Sequence, residues 1–318
     1  MTIVSKDINK AVTILNNEDV VAIPTETVYG LAGNIYSEKA IHKIFEIKQR
    51  PLFNPLIVHV HSLEKAEELV SDFPEKARQL ARAFWPGSLT LVLKKSPSIP
   101  DLITAGKDTV AIRMPNHPVT LQLLQELSFP LAAPSANPFG CISPTKASHV
   151  ERYFKNSISM VLEGGTCKNG IESTIIGFED NEPVLYRLGS ISLEDIIDVI
   201  GTVKIKNKKD IAPDAPGMLE RHYAPKTKTY LVEDVELFIQ EYKNKKIGVI
   251  RFSEPKPLPS VEILEVLSKS GDLKEAASKL YSTLHNLDTL HLDMIVAEVF
   301  PDYGLGKSIN DRLSRATK

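Results

Sequence analysis

The stretch "VVAIPTETVYGLAGN", residues 20–34, decides how this chain is to be read. Its first five residues form a short apolar run closed by a proline, which reads as a buried strand, and ahead of it Ile8, Ala11, Val12 and Leu15 recur at helical spacing. Helix followed by buried strand opens an α/β pattern. Within "IPTETVYGLAGN" (23–34), Thr25, Thr27 and Tyr29 then gather around Glu26 in what reads as a loop. Loops at strand ends of α/β sheets are favoured ligand sites. On these residues alone, hydroxyls that bond their own turn are an equal alternative.

Working outward, "SEKAIHKIFEIKQ" (37–49) reads as helix, "LIVHV" (56–60) as strand, and "PEKARQLARAFW" (74–85) as a helix with proline in its first turn. "SLTLVL", "TVAIRM", "PLAAPS", "ISMVLEGG", "ESTIIGF" and "PVLYRL" are strand candidates separated by turn signals. Strands this frequent among helices predict an α/β domain whose twisted sheet is mixed rather than purely parallel. Regular patterning fades over 205–228, where prolines at 213, 216 and 225 follow a basic run. Those prolines make a stiff linker, not Gly/Ser filler. From 229 to 318 strand and helix patterns alternate again, predicting a small Rossmann-like α/β domain after a catalytic domain of residues 1–204.

A length of 318 residues suits two domains. Net charge is −2, so any affinity for phosphate or nucleic acid must come from local clusters. The two cysteines, Cys141 and Cys167, form neither a disulfide framework nor a close-spaced zinc motif, which fits a reduced, cytoplasmic protein. The N-terminus has no apolar signal core, and no apolar run reaches the ~18 to 20 residues of a membrane span.

Local clusters do exist. In "KQRP", Pro51 disfavours the helical conformation at Arg50, and in extended chain Lys48 and Arg50 would project the same way onto one anion. Two solvated charges at a helix end are the other reading. "APSANP" repeats the construction with neutral donors: Ser135 and Asn137 sit two apart between Pro134 and Pro138. Arg113 ends the strand "TVAIR", where it must meet an anion or water. His59, inside "LIVHV", reads as a satisfied core histidine ahead of a catalytic one. The run "PDYGLGKSIN" (301–310) imitates a phosphate loop, but Pro301 stands where that template needs its first glycine, and only ten residues follow Ser308. It is expected to be a turn into the last helix.

In order, "PTETVYGL", "KQRPLFNPL", "FWPGSLTLVL", "AIRMPNHP", "APSANPFG" and "GIESTI" resemble the YrdC-like family of threonylcarbamoyl-adenylate synthases. "APGMLERHYAP" and "GLGKSINDRLSRA" resemble its two-domain form, so the likeness spans nearly the whole chain. The resemblance implies synthesis of threonylcarbamoyl-AMP and pyrophosphate from L-threonine, bicarbonate and ATP with magnesium held through the nucleotide. It also implies delivery to tRNA threonylcarbamoyl transferase machinery that modifies position 37. By the same likeness Lys48 and Arg50 are the catalytic cations. Together with Thr109, Ser135, Asn137, Ser143, Arg187 and the linker residue Tyr223 they would bind ATP, while Thr25, His59, Arg113 and Ser173 would hold threonine. Gln49 stands where the family often has glycine. Two other functions compete with this one: carbamoyl transfer in hydrogenase maturation, whose proteins carry cysteine-rich modules absent here, and an RNA-binding module, which balanced charge disfavours beyond a weak tRNA contact. The "RHYAP" run of the linker is expected to close over substrate.

Overall fold

The computed structural model describes residues 2–206, 223–242, 244–253, 258 and 261–317. The chain opens with β1 (Ile3–Ser5) and α1 (Ile8–Asn16), a helix capped by the Asp7 side chain and buried at Ala11 and Leu15. β2 (Val21–Ile23) is fully buried, and beyond it comes a departure from the sequence reading. Gly30–Asn34 is not loop but a strand, β3, antiparallel to β2. Two glycines in five residues argue against a strand on propensity, yet both sit where another layer comes close. A Cβ on Gly30 would lie 3.1 Å from the Ala133 Cβ, and one on Gly33 would lie 3.1 Å from the Ile44 side chain. Close approach explains glycine in this strand.

The first unit continues through α2 (Glu38–Lys48), β4 (Ile57–His59), α3 (Leu63–Glu67), α4 (Glu75–Phe84), β5 (Leu89–Lys94), α5 (Asp101–Thr104), β6 (Thr109–Arg113) and α6 (Pro118–Glu126). It ends with β7 (Leu131–Ala132), α7 (Ala147–Phe154), β8 (Met160–Leu162), β9 (Thr174–Glu179), β10 (Glu182–Arg187), α8 (Leu193–Ile200) and β11 (Lys204–Ile205). These strands join one sheet in the order β1-β8-β2-β3-β7-β4-β6-β5-β9-β10-β11. It is mixed, as expected: β4 runs parallel to β6 and β5 to β9, whereas β5 and β6, and β9 and β10, are antiparallel.

Strand alternation sorts the core. Leu31, Val58, Leu91, Ile112 and Ile176 pack with Ile44 and Phe45 of α2, Leu80 of α4 and Ile196 of α8. Val21, Ile23 and Leu131 pack instead with Leu15 of α1 and Leu123 of α6. A third, smaller cluster takes the alternate residues Ile57, Val92, Ala111 and Ile175, with Tyr186 against them. That patch becomes the floor of the site.

After the linker, β12 (Thr229–Val232), α9 (Val235–Gln240), β13 (Ile247–Arg251), β14 (Ile263–Val266), α10 (Leu273–Leu287), β15 (Met294–Glu298) and α11 (Leu305–Ala316) build the second unit. Its strands are all parallel in the order β12-β15-β13-β14, with α9 and α10 in the β12–β13 and β14–β15 crossovers, which is the Rossmann-like arrangement read from the sequence. "GLGKS" turns into α11 at Gly304 (φ 51°). Lys307 pairs with Glu194 at 2.8 Å and the Ser308 hydroxyl donates to the Gly189 carbonyl at 2.8 Å, so this segment docks on the first unit. Residues 207–222, most of the stretch read as linker, lie outside the described residues, and with them Arg221 and His222 of "RHYAP".

Candidate active site

Parallel pairing of β4 with β6 places His59 opposite Arg113 at the strands' carboxyl ends. Between them and the starts and ends of neighbouring strands opens a cavity. It is lined by Thr27, Arg50, Ile57, His59, Arg113, Ser135, Glu172, Ser173, Arg187 and Tyr223. Six of the residues implied by the resemblance thus line it together with Tyr223: Arg50, His59, Arg113, Ser135, Ser173 and Arg187.

Each arginine is fixed by partners at the wall of the cavity. Arg113 donates to Thr27 Oγ1 (2.9 Å), Glu26 Oε1 (2.6 Å) and the Gly87 carbonyl (3.2 Å). Arg187 donates to the Ser173 carbonyl and hydroxyl at 2.9 and 3.0 Å, and the Ser173 hydroxyl also meets Thr90 Oγ1 at 2.7 Å. Arg50 donates to Asn54 Oδ1 (2.6 Å) and the Pro55 carbonyl (2.8 Å). Burial, followed by the nearby Arg187, brings the Arg50 guanidinium down to about 9. Burial and then Arg113 drive His59 down to about 3, so its imidazole is neutral at physiological pH. An anion would relieve this concentration of buried positive charge.

Lys48 behaves differently from the sequence expectation. It ends α2, and Gln49 takes a left-handed conformation (φ 52°), so Lys48 and Arg50 are not an extended pair projecting alike. The helix cap, which the proline argument left out, sets the geometry. The Lys48 ammonium donates instead to the carbonyls of Ser135 and Asn137, each at 2.5 Å, and clamps the "PSANP" loop. Burial and the charge of Arg50 push its pKa well below the usual lysine range. Asn137 donates to the Pro138 and Cys141 carbonyls at 2.9 Å, while its Oδ1 and the Nδ2 of Asn54 have no hydrogen-bond partner among the described residues.

Thr25 is also placed otherwise. Its hydroxyl donates to the Val28 carbonyl (2.6 Å) and accepts from the Thr27 and Val28 amides, which is the self-capping turn weighed above. Thr27, two residues on, carries the hydroxyl that faces the cavity. Thr109 lies at the opposite end of β6 from Arg113, roughly 13 Å away at ~3.3 Å per residue. It lines a second cavity of about 810 Å³ with Val92, Lys94 and Tyr186. The floor of Ile57, Val92, Ala111 and Ile175 runs between the two, Ile57 lining the first and Val92 the second. Ser143 reaches the first cavity indirectly, donating to Glu172 Oε1 at 2.7 Å. Glu172 and Thr27 are polar lining residues that the resemblance did not supply, and Asn54 is the one that holds Arg50 from behind.

Residues 13–189 match the family described as Telomere recombination, and residues 191–317 match the family described as Threonylcarbamoyl-AMP synthase, C-terminal domain. A threonylcarbamoyl-AMP synthase of Bacillus subtilis (strain 168) is 40% identical, covering 97% of this chain and 92% of its own. One of Pyrococcus abyssi is 42% identical, covering 93% and 90%. The crystal structure of P. abyssi Sua5 complexed with L-threonine has a TM-score of 0.93 at 39% identity, covering 99% of this chain and 98% of that one. With both family matches in sequence along one chain, and relatives alike over nearly their whole length, this chain belongs to the two-domain threonylcarbamoyl-AMP synthase family, enzymes that transfer AMP.

Proposed function

We propose that the chain makes L-threonylcarbamoyl-adenylate and pyrophosphate from L-threonine, bicarbonate and ATP. The observation that carries this reading is the convergence of Arg50, Arg113 and Arg187 with a neutral His59 on one cavity beside an apolar floor. Arg113, held by Thr27 and Glu26, suits the threonine carboxylate, while His59, Thr27 and Ser173 suit its amine and hydroxyl. Arg50, Ser135 and Arg187 suit the phosphates, with Asn137 in the loop that carries Ser135. The floor suits the adenine ring, with Thr109 at its far end. Lys48 acts by holding the Ser135–Asn137 backbone in place.

In this reading the free amine of threonine attacks the carbon of bicarbonate, water leaves, and a carbamate forms. A carbamate oxygen then attacks the α-phosphorus, the bond to the β-phosphate oxygen breaks, and pyrophosphate departs. No side-chain nucleophile is required. The protein contributes position and cations that face the developing charge. Magnesium would arrive on the triphosphate and shield its charge. Glu172, the carboxylate in the cavity, is already engaged by Ser143, Tyr281 and Arg312. The product would pass to the machinery that modifies position 37 of tRNA, with at most a weak tRNA contact by this chain, in the cytoplasm. No helix among the described residues is long and apolar enough to cross a membrane. The test is pyrophosphate release by the purified chain: release that requires both threonine and bicarbonate supports the reading, and release indifferent to threonine overturns it.

A further inference from the structure

Glu172 is a buried carboxylate inside a cavity read as a triphosphate site, and a carboxylate there repels the ligand unless its charge is cancelled. The cancelling groups come from the other unit. Arg312 of α11 donates to Glu172 Oε2 at 2.8 Å and to the Leu188 carbonyl at 2.6 Å, and it is 1% exposed. Tyr281 of α10 donates to the same carboxylate oxygen at 2.9 Å. Behind Arg312 stands Asp311, which it meets at 2.7 Å and which Arg315 meets at 3.0 Å. The Arg312 guanidinium also lies 4.9 Å from the centroid of the Tyr223 ring, and that ring stacks on Tyr281 at 5.7 Å. Glu172 Oε1, meanwhile, accepts a hydrogen bond from the Ser143 hydroxyl at 2.7 Å.

We propose that Arg312 and Tyr281, contributed by the C-terminal unit, are positioning residues of the nucleotide site, acting through Glu172 on Ser143 and through ring contacts on Tyr223. This rests on the proposed ATP-dependent reading of the cavity. Arg312 neutralises Glu172, Glu172 fixes the Ser143 hydroxyl, and Tyr223 is held between Arg312 and Tyr281. The threonine side is tied down separately, Ser173 by Thr90 and Arg187, and Arg113 by Glu26 and Thr27. Loss of Arg312 should therefore fall on ATP and leave threonine nearly untouched. The charged and titratable groups facing Glu172 are Arg187 from β10, Arg312 with Asp311 and Arg315 from α11, Tyr281 from α10, and Tyr223. Burial pushes the Glu172 carboxyl up, but Arg312, with Arg187 and the Ser143 hydroxyl, outweighs it and holds the carboxyl down at about 2, ionised throughout the working range. Without Arg312 its pKa rises, and protonation on acidification removes the repulsion.

The experiment measures KM for ATP and for threonine by pyrophosphate release in the full chain, between pH 6 and 8, for wild type, Arg312→Gln, Tyr281→Phe and the double variant Glu172→Gln/Arg312→Gln. Arg312→Gln should raise KM for ATP about tenfold or more at pH 8, with a smaller rise at pH 6, and change KM for threonine by less than about threefold. Tyr281→Phe should move the same constant in the same direction by less. The double variant, which removes both charges, should bring KM for ATP at least about threefold below that of Arg312→Gln, the remaining deficit being the lost contact of Arg312 with the Tyr223 ring. Equal rises in both KM values, no rise for ATP, or a double variant no better than Arg312→Gln overturns the proposal. If Arg312→Gln does not fold, Tyr281→Phe decides: a raised KM for ATP with KM for threonine unchanged supports the proposal, and no rise, or equal rises in both, overturns it. A wild type that releases no pyrophosphate would instead overturn the reading of the cavity.

Discussion

Acid should loosen the contact between the two units through one histidine. His285 of α10 is 4% exposed, stacks on His149 of α7 with ring centroids 3.9 Å apart, and shares a hydrogen bond of 3.1 Å between its Nε2 and the Ser143 carbonyl. Burial, with the nearby Arg152, brings its pKa from 6.5 to about 4, and burial together with His285 brings His149 to about 3. Both rings are thus neutral in the folded chain, and Asp288 and Lys146 are the other charges nearby. For a base whose folded pKa is depressed, the unfolded state binds the extra proton, so stability is full above the unfolded value of 6.5 and declines as pH falls toward 4. At pH 5 the His285 contribution alone is a loss of about 2 kcal/mol. With an unfolding entropy of ~2 cal/mol/K per residue, that is a fall of roughly 3 °C in Tm. The comparison is scanning calorimetry of wild type and His285→Gln at pH 7 and pH 5, since glutamine keeps a donor for the Ser143 carbonyl but does not titrate. Wild type should lose about 3 °C more than the variant between the two pH values. Equal losses would refute the assignment.

Three further outcomes follow from particular contacts. Arg50→Ala should lower the ATP-dependent rate by roughly tenfold to a thousandfold, as for loss of one preorganised donor, and a loss below threefold in pyrophosphate release would speak against its role. Gly189→Ala would place a Cβ 2.3 Å from Ser173 C and Thr174 N, both backbone atoms, so β9 must move where Ser173 enters the cavity. A cost of about 1 to 3 kcal/mol in chemical unfolding together with reduced activity is expected, and a variant as stable and active as wild type would contradict the packing. Lys307→Ala should leave KM for ATP unchanged and shift stability by less than about 0.5 kcal/mol, the worth of a screened pair such as Lys307–Glu194. Weaker ATP binding in that variant would return "GLGKS" to the nucleotide site.

What could be read from sequence was what local pattern controls. The mixed sheet, the Rossmann-like second unit and the cationic character of the site follow from runs of apolar residues and from arginines stranded at their ends. β3 was hidden because its glycines answer to tertiary neighbours, Ala133 about a hundred residues on and Ile44 in the helix that follows. The Thr25 and Thr27 hydroxyls are interchangeable on paper, and only the turn decides which one bonds backbone and which one faces Arg113. Proline at 51 suggested extended chain, but the left-handed Gln49 caps α2 first and turns Lys48 toward Ser135 and Asn137. Glu172 was missed because two of its partners, Tyr281 and Arg312, lie more than a hundred residues downstream. A signal was present there: Asp311, Arg312 and Arg315 fall among Leu305, Ile309, Leu313 and Ala316 on the buried side of α11, where charge must find a partner.

The most direct test of the whole reading follows the carbon of bicarbonate. The full chain is incubated with L-threonine, ATP and carbon-13 bicarbonate, and the nucleotides are separated at once for mass spectrometry. The expected result is threonylcarbamoyl-AMP carrying the label, formed together with pyrophosphate and only when all three substrates are present. Unlabelled adduct, or AMP and pyrophosphate with no adduct at any time, would contradict it.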